Sequence, residues 1–71
     1  MRYSELVRRL RKLGCELYRQ GAGSHEVWWN PRTKQRTVIA RHPSREIPKG
    51  TLNGILRDLG IDSDTFWQRR K

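Results

Sequence analysis

The stretch Gly21-Ala22-Gly23-Ser24-His25-Glu26-Val27-Trp28-Trp29-Asn30-Pro31-Arg32-Thr33-Lys34-Gln35-Arg36-Thr37-Val38-Ile39-Ala40 decides the fold. Its glycine-rich opening reads as a turn, and His25 to Trp29 reads as a strand leaving that turn. Asn30-Pro31-Arg32-Thr33-Lys34 is a polar reversal of the kind that closes a hairpin. Gln35 to Ala40, with β-branched Thr37, Val38 and Ile39, is the returning strand. Cys15 to Gln20 enters the glycine-rich turn from the other side and supplies a third strand, so three antiparallel strands follow by proximity. Side chains alternate along a strand, so of the adjacent pair Trp28 and Trp29 one indole enters the core and the other stays outside.

Working outward, both flanks are helical. In Ser4 to Gly14 the residues Leu6, Val7, Leu10 and Leu13 share one face, with Ser4 as the expected N-cap and Gly14 as the stop. Glu5 in the first turn and Arg11 and Lys12 in the last suit the helix dipole. Leu52, Ile55, Leu56 and Leu59 mark a second helix that ends at Gly60, with Thr51 near its start as a cap and Gly54 inside it, where close packing is expected. Between sheet and helix, residues 41–48 hold two prolines and no period, and read as a crossing loop. Two amphipathic helices need one apolar sheet face to bury their stripes, which leaves the opposite face open. The expected class is α+β, in the order α-β-β-β-α with a three-stranded antiparallel sheet and both helices on one face, a layout shared with double-stranded-RNA-binding folds. Residues 1–71 form one domain in this reading. Within it, residues 62–71 are a short extra helical turn, capped around Asp62-Ser63-Asp64, followed by a basic tail.

Composition narrows the function. The 71 residues carry 16 Lys and Arg against 7 Asp and Glu, a net charge of +9, and 12 of the 16 cations are arginine. Arginine forks onto phosphate and stacks on bases, so its excess points to a nucleic-acid partner, with an acidic protein as the other polyanion to consider. Cations concentrate in residues 32–49, where Arg32, Lys34, Arg36, Arg41, Arg45 and Lys49 face the single carboxylate Glu46. Cys15 is the only cysteine, which rules out an internal disulfide and fits a reducing compartment. No apolar run is longer than the three residues of Val38 to Ala40, far short of the roughly 20 residues a membrane span needs, so a cytoplasmic location is expected.

Catalytic candidates are few. Two histidines, one cysteine and scattered carboxylates have neither the count nor the spacing of a metal site, and Gly21-Ala22-Gly23 lacks the third glycine and following helix of a dinucleotide loop. No cofactor is expected. His25 follows small residues and opens a strand, a place where an uncrowded imidazole can exchange protons with a bound ribose or phosphate. A solvated turn histidine explains the same residues. His42, in Arg41-His42-Pro43, suits phosphate contact, a loop hydrogen bond or plain solvation. Lys49-Gly50-Thr51 opens the second helix, where free N–H groups and the dipole attract an anion. Arg8, Arg9, Arg11 and Lys12 read by default as a solvated helix face.

Several runs together resemble the HicA-type mRNA interferase toxins. They are Ser4-Glu5-Leu6, Leu13-Gly14, Arg19-Gln20, Gly23-Ser24-His25, Arg41-His42-Pro43, Ile47-Pro48-Lys49-Gly50-Thr51-Leu52 and Ile55-Leu56-Arg57-Asp58-Leu59-Gly60. The joint signal is the Gly-Ser-His turn followed, in order and at the right spacing, by the Lys-Gly-Thr-Leu helix start. Cys15 and Ala40 stand where many relatives carry an aromatic residue and a proline. The resemblance implies a double-stranded-RNA-binding-like fold and the toxin of a type II toxin–antitoxin system. It also implies a metal-independent endoribonuclease that cleaves mRNA without the ribosome, and an acidic HicB-type antitoxin as partner. It assigns catalysis to His25. The expected RNA-binding residues are Ser24, Arg36, Arg41, His42, Arg45, Lys49 and Thr51. The alternative is a small RNA-binding module of the same fold that does not cleave.

Overall fold

The computed structural model describes residues 1–42 and 45–68. Pro43 and Ser44 of the crossing loop and the basic tail 69–71 lie outside the described residues. The element order is α1 (Tyr3–Lys12), β1 (Glu16–Gln20), β2 (His25–Asn30), β3 (Gln35–Ala40), α2 (Lys49–Asp58) and α3 (Ser63–Trp67). The sheet is antiparallel in the order β1-β2-β3, so the fold is the α+β arrangement α-β-β-β-α with one short helix added.

Register explains which side chains meet. On β2 and β3 the directly opposed pairs Glu26↔Ile39, Trp28↔Thr37 and Asn30↔Gln35 alternate with His25↔Ala40, Val27↔Val38 and Trp29↔Arg36. Side chains of opposed residues lie on one face, so the first set faces the helices and the second faces away. Trp28 and Ile39 are buried with Leu6 and Leu10 of α1, Leu52, Ile55 and Leu56 of α2, and Leu59 and Phe66 in one core. Trp28 is the buried indole and Trp29 the outer one. On the covered face, three buried polar side chains are satisfied inside the protein. Glu26 accepts from the Tyr3 hydroxyl and from Trp28 Nε1 at 3.0 Å. Asn30 Nδ2 donates to the Leu59 carbonyl at 3.0 Å, and Thr37 Oγ1 to Asp58 Oδ2 at 3.0 Å. β1 differs: its register shifts between Leu17 and Arg19 and all five of its residues are exposed. A bulge on an edge strand twists it away from the core, which removes the simple alternation.

Four local expectations need correction. Helix α1 starts at Tyr3 behind an extended Arg2, and Ser4 lies inside the first turn with no capping bond. The Arg2↔Glu46 bridge and the Ile47 N–H bond to the Met1 carbonyl, at 2.8 Å, hold the entering chain extended. A tertiary pairing therefore sets this helix start. Likewise α2 begins after Pro48, whose extended backbone fills the N-cap position, so Thr51 sits in the first turn and is not the cap. Gly54 is not closely packed, since a Cβ there meets only the Arg57 guanidinium at 3.8 Å. The third helix follows expectation, because Asp62 Oδ2 accepts from the N–H groups of Asp64 at 3.1 Å and Thr65 at 3.3 Å. Nor are Arg9 and Arg11 simply solvated. The Arg9 guanidinium lies 5.1 Å from the Trp67 ring centre and the Arg11 guanidinium 5.0 Å from that of Trp28. Each lies over an aromatic ring as a cation–π contact, Arg11 on the buried Trp28 and Arg9 on the exposed Trp67.

Candidate functional site

The turn before β2 is built to present His25. Gly23 has φ +60, a left-handed conformation that costs glycine little. Gly21 fits for a different reason: a Cβ on it would crowd the His25 carbonyl oxygen at 3.1 Å. The Gly21 N–H donates to that carbonyl at 2.9 Å, and the His25 N–H donates to the Ala22 carbonyl at 3.1 Å. Across the strand pair the Arg41 N–H donates to the Ser24 carbonyl at 2.8 Å. The backbone of His25 is thus held on both sides while its side chain is exposed. The imidazole stands on the open face of the sheet with Val27 and Trp29, and the residue opposite it is Ala40, whose methyl group leaves room for a ligand.

The other expected site residues fall into separate groups. Ser24 and Arg41 join His25 at one corner of the sheet. His42, Arg45 and Thr51 line a groove of about 250 Å³ between the end of β3 and the start of α2, floored by Ile39, Ile47 and Ile55. Lys49 is exposed at the first position of α2. Arg36 is at the far end of β3, five residues from Arg41, or about 17 Å along an extended strand. Its guanidinium lies 4.8 Å from the ring centre of Tyr18, which in turn lies 5.4 Å from that of Trp29. The cations therefore form a track along β3 and around its end, with His25 at one corner.

The sequence reading missed two features. Tyr18 and Arg36 extend the half-buried outer indole of Trp29 into a three-strand cluster, which needed the register and the β1 bulge to be seen. Glu26, next to His25 in sequence, is buried on the opposite face against Tyr3. Burial, the bond to Glu26 and that carboxylate's charge push the Tyr3 hydroxyl up to about 12, while Arg41 and Arg11 act in the opposite sense. Once the structure makes Trp28 the inward indole, alternation puts Glu26 on the core side as well; nothing in the sequence chooses between the two indoles or names Tyr3 as the partner of Glu26. Burial pushes the Cys15 thiol up as well, which suits a packing residue and not a nucleophile. Among the described residues no group of three His, Cys, Asp or Glu side chains is placed to hold a metal ion.

A sequence model described as the HicA toxin of bacterial toxin–antitoxin matches residues 3–61. The chain belongs to the HicA toxin family. Membership carries a toxin role and an antitoxin as partner. The HicA match runs from the first residue of α1 to just past α2, so α3 lies beyond it although Phe66 completes the core. No curated protein and no solved structure matches the chain. No helix among the described residues is long and apolar enough to cross a membrane.

Proposed function

We propose that this HicA-family toxin is a metal-independent endoribonuclease that cleaves mRNA in the cytoplasm without the ribosome, with His25 as its catalytic residue. The observation that carries this reading is the presentation of His25: a backbone clamped from both sides, an exposed imidazole and a small residue opposite, at the corner of a cationic track. The scissile phosphate sits beside Ser24 and Arg41, and the imidazole exchanges a proton with the attacking ribose 2′-hydroxyl or the leaving 5′-oxygen. As the 2′-oxygen bonds to phosphorus the P–O5′ bond breaks, and the arginines stabilise the charge that develops on the phosphoryl oxygens. Arg36, Arg41, Arg45 and Lys49 hold the backbone, with His42 and Thr51 lining the groove through which the strand continues. Four phosphate contacts give a log–log salt slope of about −3 on single-stranded RNA. The antitoxin, in this reading, is an acidic HicB-type protein drawn in by charge that covers His25.

One observation favours the runner-up, a binding module that does not cleave: strand pairing sets Ala40, not a second titratable group, opposite His25. A single experiment separates the two. The purified protein and its His25→Ala variant are incubated with a defined RNA in EDTA. Cleavage by the parent, reduced about 10²- to 10⁴-fold in the variant with unchanged melting temperature and RNA affinity, is the expected result. Intact RNA in the presence of folded parent protein overturns the nuclease reading and leaves the binding module.

A further inference from the structure

The open face of the sheet is not the polar surface that an uncovered sheet normally presents. Trp29 stands half-buried near the end of the central strand, Tyr18 beside it is 45% exposed, and Val38 on the neighbouring strand is 58% exposed. The Arg36 guanidinium sits over the Tyr18 ring at 4.8 Å, and strand register puts Arg19 opposite Val27 on the same face. The one carboxylate that register sets there, Glu16, accepts from Trp29 Nε1 at 3.3 Å and so orients the indole. Aromatic rings interleaved with arginines on a sheet are the recurring platform for unpaired bases, because every base offers a π-face and the cations take the phosphates between.

We propose that this face binds single-stranded RNA, with one base stacked on Trp29 and the next against Tyr18, and with Arg36 on an adjoining phosphate. The position relative to His25 rests on the catalytic reading above; the stacking does not. His25 and Trp29 are four residues apart on one strand face, about 13 Å. At a stacked spacing of about 3.4 Å that distance spans about four nucleotides, and fewer if the strand is splayed. A substrate held at His25 and running along β2 therefore crosses Trp29 before it leaves the sheet. Rings with arginines beside them match RNA, which offers stackable bases between phosphates, better than an acidic protein surface, which offers the charge without the bases.

The test uses the full-length chain and a mixed-sequence, 12-nucleotide 2′-O-methyl RNA, which lacks the attacking hydroxyl. In a Trp67→Phe background, where Trp28 is buried, binding quenches the fluorescence of Trp29. Trp29→Leu weakens binding by tenfold or more at an unchanged salt slope, because a base–ring contact releases no counterion. Trp29→Phe recovers most of the affinity, which a purely structural role does not require. Arg36→Gln lowers the slope by about 0.7. Should Trp29→Leu not fold, the quenching and a Tyr18→Leu variant carry the test. Absence of quenching on saturation, or folded Trp29→Leu and Tyr18→Leu variants with parental RNA affinity, overturns the proposal. So does loss of antitoxin binding alone in those variants, which assigns the face to the protein partner. Cleavage of unmodified RNA is scored separately. Quenching without cleavage keeps the platform and removes the nuclease, whereas cleavage without quenching does the reverse.

Discussion

His25 and Glu26 are neighbours on β2, yet they belong to different surfaces. The covered face holds Glu26, Trp28, Asn30, Thr37 and Ile39, every one buried, with the polar members bonded to α1, to α2 or within the sheet. The open face holds His25, Val27, Trp29, Arg36 and Val38, where Trp29 meets Tyr18 and Glu16 and Arg36 lies over Tyr18. The two sets have much the same residue types: each has an indole, a β-branched aliphatic and a polar or charged group. What differs is whether a helix lies above them. Stability therefore resides on one side of a single layer and the proposed RNA contacts on the other, so substitutions one residue apart are expected to act on different properties.

The sharpest way to break that division is the tryptophan pair. Trp28→Ala empties a fully buried site and costs about 3–5 kcal/mol, enough to unfold most of so small a domain. Trp29→Ala costs about 1 kcal/mol or less and leaves a cooperative thermal transition. Equal melting temperatures for the two variants, read by circular dichroism, would contradict the assignment of faces. The glutamates offer the next comparison. Glu26→Ala strands the Tyr3 hydroxyl and Trp28 Nε1 without their acceptor and costs about 1–3 kcal/mol. Glu16→Ala, on the open face, changes stability by less than about 0.5 kcal/mol. It also tightens RNA binding by removing a negative charge from the platform, which a filter-binding titration reads.

The Tyr3–Glu26 contact has a pH signature of its own. Because the folded protein raises the Tyr3 hydroxyl from 10.0 to about 12, the unfolded chain loses this proton first as pH rises. The contribution is complete below pH 10 and is lost between pH 10 and about 12. A Tyr3→Phe variant is expected to be less stable than the parent at neutral pH and to show a shallower fall in melting temperature across that alkaline window. A fall as steep as the parent's locates the alkaline sensitivity elsewhere. The smallest contrast is aliphatic: Ile39→Val costs about 0.5–1.5 kcal/mol, while Val38→Thr stays within about 0.5 kcal/mol. Denaturant midpoints at constant m-value resolve the pair.

Much of this was legible in the chain. The 3.6-residue period of Leu6, Leu10 and Leu13 and of Leu52, Ile55, Leu56 and Leu59, the breaks at Gly14 and Gly60, and the alternation through Trp28 and Trp29 specify two helices and a sheet between them. Those are local properties, set by backbone geometry and by which residues must leave water. The small residues before His25 and the cations of residues 32–49 likewise mark a corner and a charge track.

Other features needed the assembled fold. Helix α1 starts at Tyr3, not behind Ser4, because a distant strand-like contact at Glu46 holds Arg2 extended. Arg36 and Tyr18 are 18 residues apart and meet only because β1 shifts register by a bulge while β2 spans the gap between them. Arg9 and Arg11 lie over the rings of Trp67 and Trp28, residues 58 and 17 positions further along the chain, which only the folded chain brings to α1. The sequence by itself determined the elements, their order and the sign of the charge, since these depend on neighbours within a few residues. Only the tertiary structure decided which face the helices cover, and with it that Glu26 is enclosed while His25 meets solvent, because burial is a property of what packs across the sheet.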